Sequence, residues 1–250
     1  MLERSRAAGV IRILVPGWDR VSSEAALELA ARHPDLLDAA VGIHPHYVAS
    51  ATRADWAAIE HLADEPAVCA VGEIGLDFYR NLSPPDAQRD ALARQLELAA
   101  RARKPVIVHD RDAHGEVMTA LLQHATRSTH DARGTQDAGS PGVLHAFSGD
   151  EPMAAALAAA GYVISFALPV SFRANHGPRA AAAALPATSL MVETDSPYLG
   201  PAADQRNEPT TVLRTASAIA RLRNESPEAV AAAASAAYGR VINTNPPGSP

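Results

Sequence analysis

At 250 residues, 47% of them hydrophobic, the chain is long enough to enclose one large core, and a single domain spanning 1–250 is the expectation. The formal charge of −6 excludes an overall basic field that would hold a polyanion by counterion release, so any nucleic-acid contact must be local. The lone cysteine, Cys69, excludes a disulfide framework and fits a reducing compartment, and the apolar run Ile11 to Val15 is too short for a signal or membrane-spanning segment. A cytoplasmic protein without membrane contact is expected.

Short apolar runs alternate with alanine-rich amphipathic stretches from end to end, the pattern of βαβ units and a parallel sheet. Met1 to Ala8 reads as the end of a helix leading through Gly9 into the first strand. Seven strands are expected: Ile11 to Val15, Leu37 to Ile43, Ala67 to Val71, Val106 to His109, Gly142 to His145, Tyr162 to Phe166 and Leu190 to Glu193. The clearest helix is Pro84 to Arg103, with leucines at 92, 96 and 98 and Ser83 as its N-cap. Two further helices, Pro209 to Arg223 and Pro227 to Val241, close the chain, the second opened by Ser226-Pro227-Glu228. Ala125 to Gly142, rich in Thr, Ser, Asp and Gly, reads as an exposed flexible loop, and 245–250 as a frayed tail. Closed parallel barrels use eight strands, so the fold class is an α/β (β/α)8 barrel of the TIM type with seven strands present and the first missing from the N-terminus.

The chemistry gathers at strand ends. Glu73 follows an apolar run and stands among glycines in Val71-Gly72-Glu73-Ile74-Gly75-Leu76-Asp77, and is expected at the C-terminal mouth of the sheet, where such folds build their sites. His109 ends Pro105-Val106-Ile107-Val108, His145 ends Val143-Leu144, and Asp195 follows Met191-Val192-Glu193-Thr194. A Glu, two His and an Asp converging from four strands form a ligand inventory for zinc, manganese or magnesium, in which a carboxylate can bridge two ions. His44, in Gly42-Ile43-His44-Pro45-His46, also sits at a strand end and can face substrate. Glu193 lies on the same face as Asp195 and can either enter the site or be a paired interior acid, the second being the favoured reading. The remaining histidines, His33, His61, His114, His124, His130 and His176, fall on helices or loops and read as solvated surface. Gly-x-Ser-x-Gly, Gly-rich phosphate loops and dinucleotide fingerprints are absent.

Five ordered motifs carry a resemblance. Gly42-Ile43-His44-Pro45-His46, Gly72-Glu73-Ile74-Gly75-Leu76-Asp77, Val108-His109-Asp110-Arg111, His145-Ala146-Phe147-Ser148-Gly149 and Glu193-Thr194-Asp195-Ser196-Pro197-Tyr198 resemble those of the TatD family of metal-dependent deoxyribonucleases, from about Gly9 to Arg240. The resemblance implies an amidohydrolase-like barrel with up to two divalent ions: Glu73 bridging both, His109 and His145 on one, and Asp195 on the other. Family members begin with a strand bearing His-x-His, and this chain starts downstream of it, which agrees with the barrel count. Such a chain is expected to hold at most one ion well. Asp204-Gln205-Arg206-Asn207 lacks the Arg-Gly pair usual before Arg-Asn.

The activity so implied is hydrolysis of DNA phosphodiester bonds by a metal-activated water, with Asp195 orienting that water and taking its proton, and with Arg111 and Arg206 as phosphate contacts. DNA is the partner, and no protein partner is implied. The same site acting on a small phosphoester or an amide is the alternative, as is a truncated, inactive barrel.

Overall fold

A computed structural model describes residues 1–131, 140–202 and 205–242. The elements run α1 (Leu2–Ala7), β1 (Ile13–Pro16), α2 (Arg20–Arg32), β2 (Leu37–Val41), α3 (Arg53–Ala63), β3 (Val68–Asp77), α4 (Pro85–Ala102), β4 (Val106–Arg111), α5 (His114–Asp131), β5 (Gly142–Leu144), α6 (Glu151–Ala159), β6 (Val163–Phe166), α7 (His176–Ala184), β7 (Leu190–Val192), α8 (Val212–Arg223) and α9 (Pro227–Ile242), with short 3-10 turns at Pro45–Ser50, Leu168–Ser171, Ala187–Ser189 and Pro209–Thr211. This is the expected α/β alternation of the TIM type, with seven strands among the described residues. No helix among those residues is long and apolar enough to cross a membrane. The chain divides into two compact units, residues 12–143 and residues 1–11 with 144–250.

In the unit of residues 12–143, β1 to β4 pair in sequence order and all in parallel, from Ile13 opposite Leu37 to Asp77 opposite Arg111. The helices between them begin where the local sequence satisfies their first amides. Asp19 and Ser22 form a reciprocal capping box on α2, and Thr52 and Asp55 do the same on α3. Helix α4 turns Leu92, Leu96 and Leu98 inward as their spacing requires, together with Gln88 and Gln95. Ser83 does not cap this helix. Its buried hydroxyl accepts from Ala49 N–H and donates to the His46 carbonyl, while the helix starts at two prolines with no side-chain cap.

The strand carrying Glu73 is longer than its apolar run. β3 continues to Asp77, so Glu73 lies within the strand and not at its end. The pairing with β4 steps from Val71–Val106 to Ile74–Val108, which sets Gly72 and Glu73 together against Ile107 in a bulge. Past the bulge, Gly75 has φ +144° and packs directly on the β4 backbone, where a Cβ would overlap the His109 carbonyl oxygen.

In the other unit, β6 and β7 pair in parallel from Ile164–Leu190 to Phe166–Val192. Asp150 caps α6 by accepting Met153 N–H, and Ser226 caps α9 by accepting Ala229 N–H, as the Ser-Pro-Glu sequence anticipates. Tyr162, Phe166, Leu157, Ile219 and Ala237 fill the core of this unit. Arg4 on α1 makes a two-nitrogen ion pair with Glu208, tying the first helix to the turn before α8.

Three other expectations shift. The expected first strand begins two residues late, at Ile13, after Ile11 at 53% exposure. Helix α5 runs through Asp131, into the stretch read as a loop, while 132–139 lie outside the described residues, as does the 245–250 tail. His124, read as surface, is buried on α5. Gly75→Ala tests the close approach of β3 to β4. It is expected to destabilise the protein by more than about 2 kcal/mol in denaturant unfolding, since both the backbone angle and the adjoining carbonyl oppose a side chain.

Candidate metal centre

Three of the residues singled out in the sequence come together in the unit of residues 12–143. His44, Glu73 and His109 each place one ligand-type atom within 4.8 Å of the other two. His44 Nε2 lies 3.3 Å from Glu73 Oε1, and His109 Nδ1 lies 3.1 Å from the same oxygen. Imidazole nitrogen with carboxylate oxygen is a donor set that suits zinc, manganese and other divalent ions. His44 is buried, and Glu73 and His109 are half-buried. Burial lowers the pKa of His44, and its contact with Glu73 offsets this only in part.

The backbone holding these side chains is fixed from several sides. Glu73 N–H donates to Gly17 O at 2.7 Å, and His44 N–H to Trp18 O at 2.9 Å, so the turn after β1 anchors both ligand-bearing segments. Two buried glutamines on α4 do similar work. Gln95 bonds both the N–H (2.7 Å) and the carbonyl (3.0 Å) of Ile43, the residue before His44. Gln88 bonds both the N–H (2.8 Å) and the carbonyl (3.1 Å) of Asp77, and also Ser83 O.

Asp77 joins the site from the end of β3. Its Oδ2 lies 2.6 Å from His46 Nε2 and 3.2 Å from His109 Nε2, while Oδ1 accepts Arg80 N–H. Burial pushes the Asp77 carboxyl up, but the bonds from His109, Arg80 and His46 prevail and hold it well below the usual carboxylate range. Arg111, paired in register with Asp77, lays its guanidinium 4.9 Å from the centre of the Tyr79 ring, and both side chains are exposed.

His145, Asp195 and Arg206 belong to the other unit. His145 Nδ1 is 3.1 Å from Glu193 Oε1, which also accepts Ala146 N–H. Glu193, read from the sequence as a paired interior acid, is half-buried and contacts a histidine that the sequence also singled out. Asp195 has φ +59°, a left-handed conformation that Asp tolerates better than most residues. The loop behind it is pinned by Asn207, fully buried, whose amide donates to Thr194 O and Tyr198 O. Arg206 is exposed.

Sequence reasoning missed Gln88, Gln95, Asn207 and the role of Asp77. The glutamines had a signal: positions 88, 92, 95 and 99 share one face of α4, and a polar side chain repeated on an otherwise apolar face needs a buried partner.

The TatD related DNase family model matches residues 1–243. The uncharacterized metal-dependent hydrolase YabD of Bacillus subtilis (strain 168) is 32% identical, over 98% of this chain and 92% of that protein. The 3'-5' ssDNA/RNA exonuclease TatD of Erwinia billingiae (strain Eb661) is 34% identical, over 92% of this chain and 87% of that one. Among solved structures, the TatD homolog YJJV from Escherichia coli K12 superposes with a TM-score of 0.87 at 29% identity, covering 98% of this chain and 91% of its own. Fold and site thus define a metal-dependent hydrolase of the α/β barrel class. The chain belongs to the TatD related DNase family.

Gln88→Leu leaves the Asp77 N–H and carbonyl and the Ser83 carbonyl buried without this partner. It is expected to cost roughly 3 kcal/mol in chemical denaturation.

Proposed function

We propose that this protein hydrolyses phosphodiester bonds of DNA at an ion site built on Glu73 and His109. The carrying observation is the convergence of Glu73 Oε1 and His109 Nδ1 at 3.1 Å in a chain of a metal-dependent hydrolase family. The substrate class draws its support from relatives named 3'-5' ssDNA/RNA exonuclease. The assignment of His145 and Asp195 as further ligands, and of Glu73 as a bridge between two ions, rests on the motif resemblance. Magnesium, manganese and zinc all suit this donor set.

A divalent ion in such a site supplies Lewis acidity toward a phosphoryl oxygen and lowers the pKa of a water. The chain's own groups do the rest. Asp195 orients the attacking water and accepts its proton as general base. His44, buried beside Glu73, faces the substrate. Arg111, paired in register with Asp77, stands on the Tyr79 ring, where a guanidinium can take a phosphate oxygen and an aromatic face can stack on a base. Arg206 is the second phosphate contact proposed.

The net charge of −6 makes such local contacts the means of holding a polyanion, and it also favours a second reading in which the substrate is a small phosphoester. End-labelled single-stranded DNA, assayed beside p-nitrophenyl phosphate, separates the two. Chelator treatment is expected to abolish DNA cleavage and added manganese or magnesium to restore it, while Glu73→Ala stays at the chelated level and takes up no ion in calorimetric titration. Wild-type affinity in Glu73→Ala would remove that residue from the site. Arg111→Ala is expected to raise KM for DNA about tenfold with kcat little changed.

A further inference from the structure

Among the described residues of the unit 12–143, three guanidinium groups lie over aromatic rings, and two of them are neutralised. Arg89, over Phe78, pairs with Asp86 and Glu116, and Arg94, over Trp56, pairs with Glu60. Arg111, over Tyr79, has no carboxylate within ion-pair distance among the described residues. Its charge is therefore left for a ligand, and Tyr79 itself is 65% exposed.

A second exposed ring comes from the neighbouring loop. Tyr47, 41% exposed, sits in the 3-10 turn after His44, with its ring centroid 6.4 Å from that of His44 and 6.5 Å from that of His46. Single exposed apolar side chains are ordinary on a protein surface. These two are set apart by the rigidity of the loops that carry them. Buried Ser83 stitches the loops together, its hydroxyl accepting Ala49 N–H and donating to His46 O while its carbonyl accepts from Gln88. Phe78 N–H donates to Arg111 O and Arg80 N–H to Asp77 Oδ1, so the backbone is tied on both sides of Tyr79. Rings on a backbone already fixed lose little freedom when a flat partner lies on them.

We propose that Tyr47 and Tyr79 are base-stacking positions for the nucleotides next to the bond that is cut, and that they select strands whose bases are unpaired. The proposal rests on the reading of nucleic acid as the substrate. Tyr79 and Arg111 act as one unit at the β3–β4 pairing, a ring for a base beside a cation for its phosphate, and Tyr47 adds a ring on the β2 side. Stacking needs a free base face, which a duplex covers with neighbouring pairs. It is tolerant of sequence, since every base has such a face, so the two rings discriminate strandedness and not base identity.

The test is fluorescence anisotropy of a labelled, phosphorothioate-linked DNA strand, which resists hydrolysis, with the full chain and manganese over a range of salt. An oligomer of the same length and linkage built from abasic units carries the charges without the bases. On the unaltered chain the base-bearing strand is expected to bind roughly 100-fold tighter than the abasic one, about tenfold for each ring, and tighter than its own duplex. Tyr47→Ala and Tyr79→Ala are each expected to lose about tenfold on the base-bearing strand and little on the abasic one, while Tyr47→Phe and Tyr79→Phe keep nearly all of it. The slope of log affinity against log salt stays unchanged in the tyrosine variants and falls by about 0.7 in Arg111→Ala, since only the arginine neutralises a phosphate. Equal binding of base-bearing and abasic strands, unchanged affinity in both alanine variants, or a lowered salt slope in them overturns the proposal while leaving DNA as the substrate. Binding of neither strand by the unaltered chain removes that substrate reading and the proposal with it. The comparison of strands is made on the unaltered chain, so the outcome does not hang on the folding of a variant.

Discussion

Where a parallel strand ends, its backbone N–H and C=O groups lose their ladder partners, and a buried pair without partners costs more than most side-chain contacts return. In the unit of residues 12–143 this problem arises at Ile43 and Asp77, beside the residues that carry the chemistry. α4 answers it with two primary amides. Gln95 takes both backbone groups of Ile43, and Gln88 takes both of Asp77. Each glutamine behaves as one residue of an extra strand, donor and acceptor side by side. The helix that covers this sheet therefore also sets where the side chains of His44 and Asp77 begin.

The bulge at Gly72 and Glu73 is a second constraint of the same kind. An unbroken β3 would give Glu73 a ladder partner on β4, whereas the observed step gives its N–H to Gly17 O instead. Glycine is required on both sides of the acid: a Cβ at 72 would press on Ile107 and one at 75 on the His109 carbonyl. The two glycines thus serve backbone contact between β3 and β4, and Glu73 is the side chain that this contact leaves pointing toward two imidazoles. Cys69, on the same strand, shows the contrast. Its thiol donates to Ala39 O, and burial pushes its pKa up to about 12, so it is an inert part of the packing.

Much of this was legible in the sequence because it depends on period and punctuation. Alternating apolar runs placed all seven strands, and Ser226-Pro227 marked the start of α9. Position at the end of an apolar run picked out His145, which follows β5, and His109, although β4 continues two residues past it to Arg111, while the two-residue strand repeat did not show the contact of Glu193 with His145. What was not legible depends on contacts distant in sequence. Ser83 has every local property of a cap, yet the loop from His46 to Ala49 claims its hydroxyl. Glu73 read as a strand terminus because the apolar run stops at Val71, and only the β4 register shows the strand continuing past it. Asp77, 2% exposed, stands in the same motif as Glu73, but one-dimensional spacing does not show that two imidazoles turn toward it.

Asp77 also explains how a site rich in histidine can be ordered before any ion arrives. A carboxylate this deeply buried persists only if its oxygens are fully engaged, and here one backbone amide and two ring nitrogens engage them. The engagement acts in both directions: the rings stabilise the anion, and the anion fixes the planes of the rings. His44 is held separately, through its backbone bond to Trp18 and the His46 amide on its Nδ1. The imidazoles of His44 and His109, with centroids 4.6 Å apart, thus take their orientations from different anchors, and Glu73 lies where both point. Orientation set in advance removes an ordering cost from binding, so affinity in such a site follows from the anchors as much as from the ligands themselves.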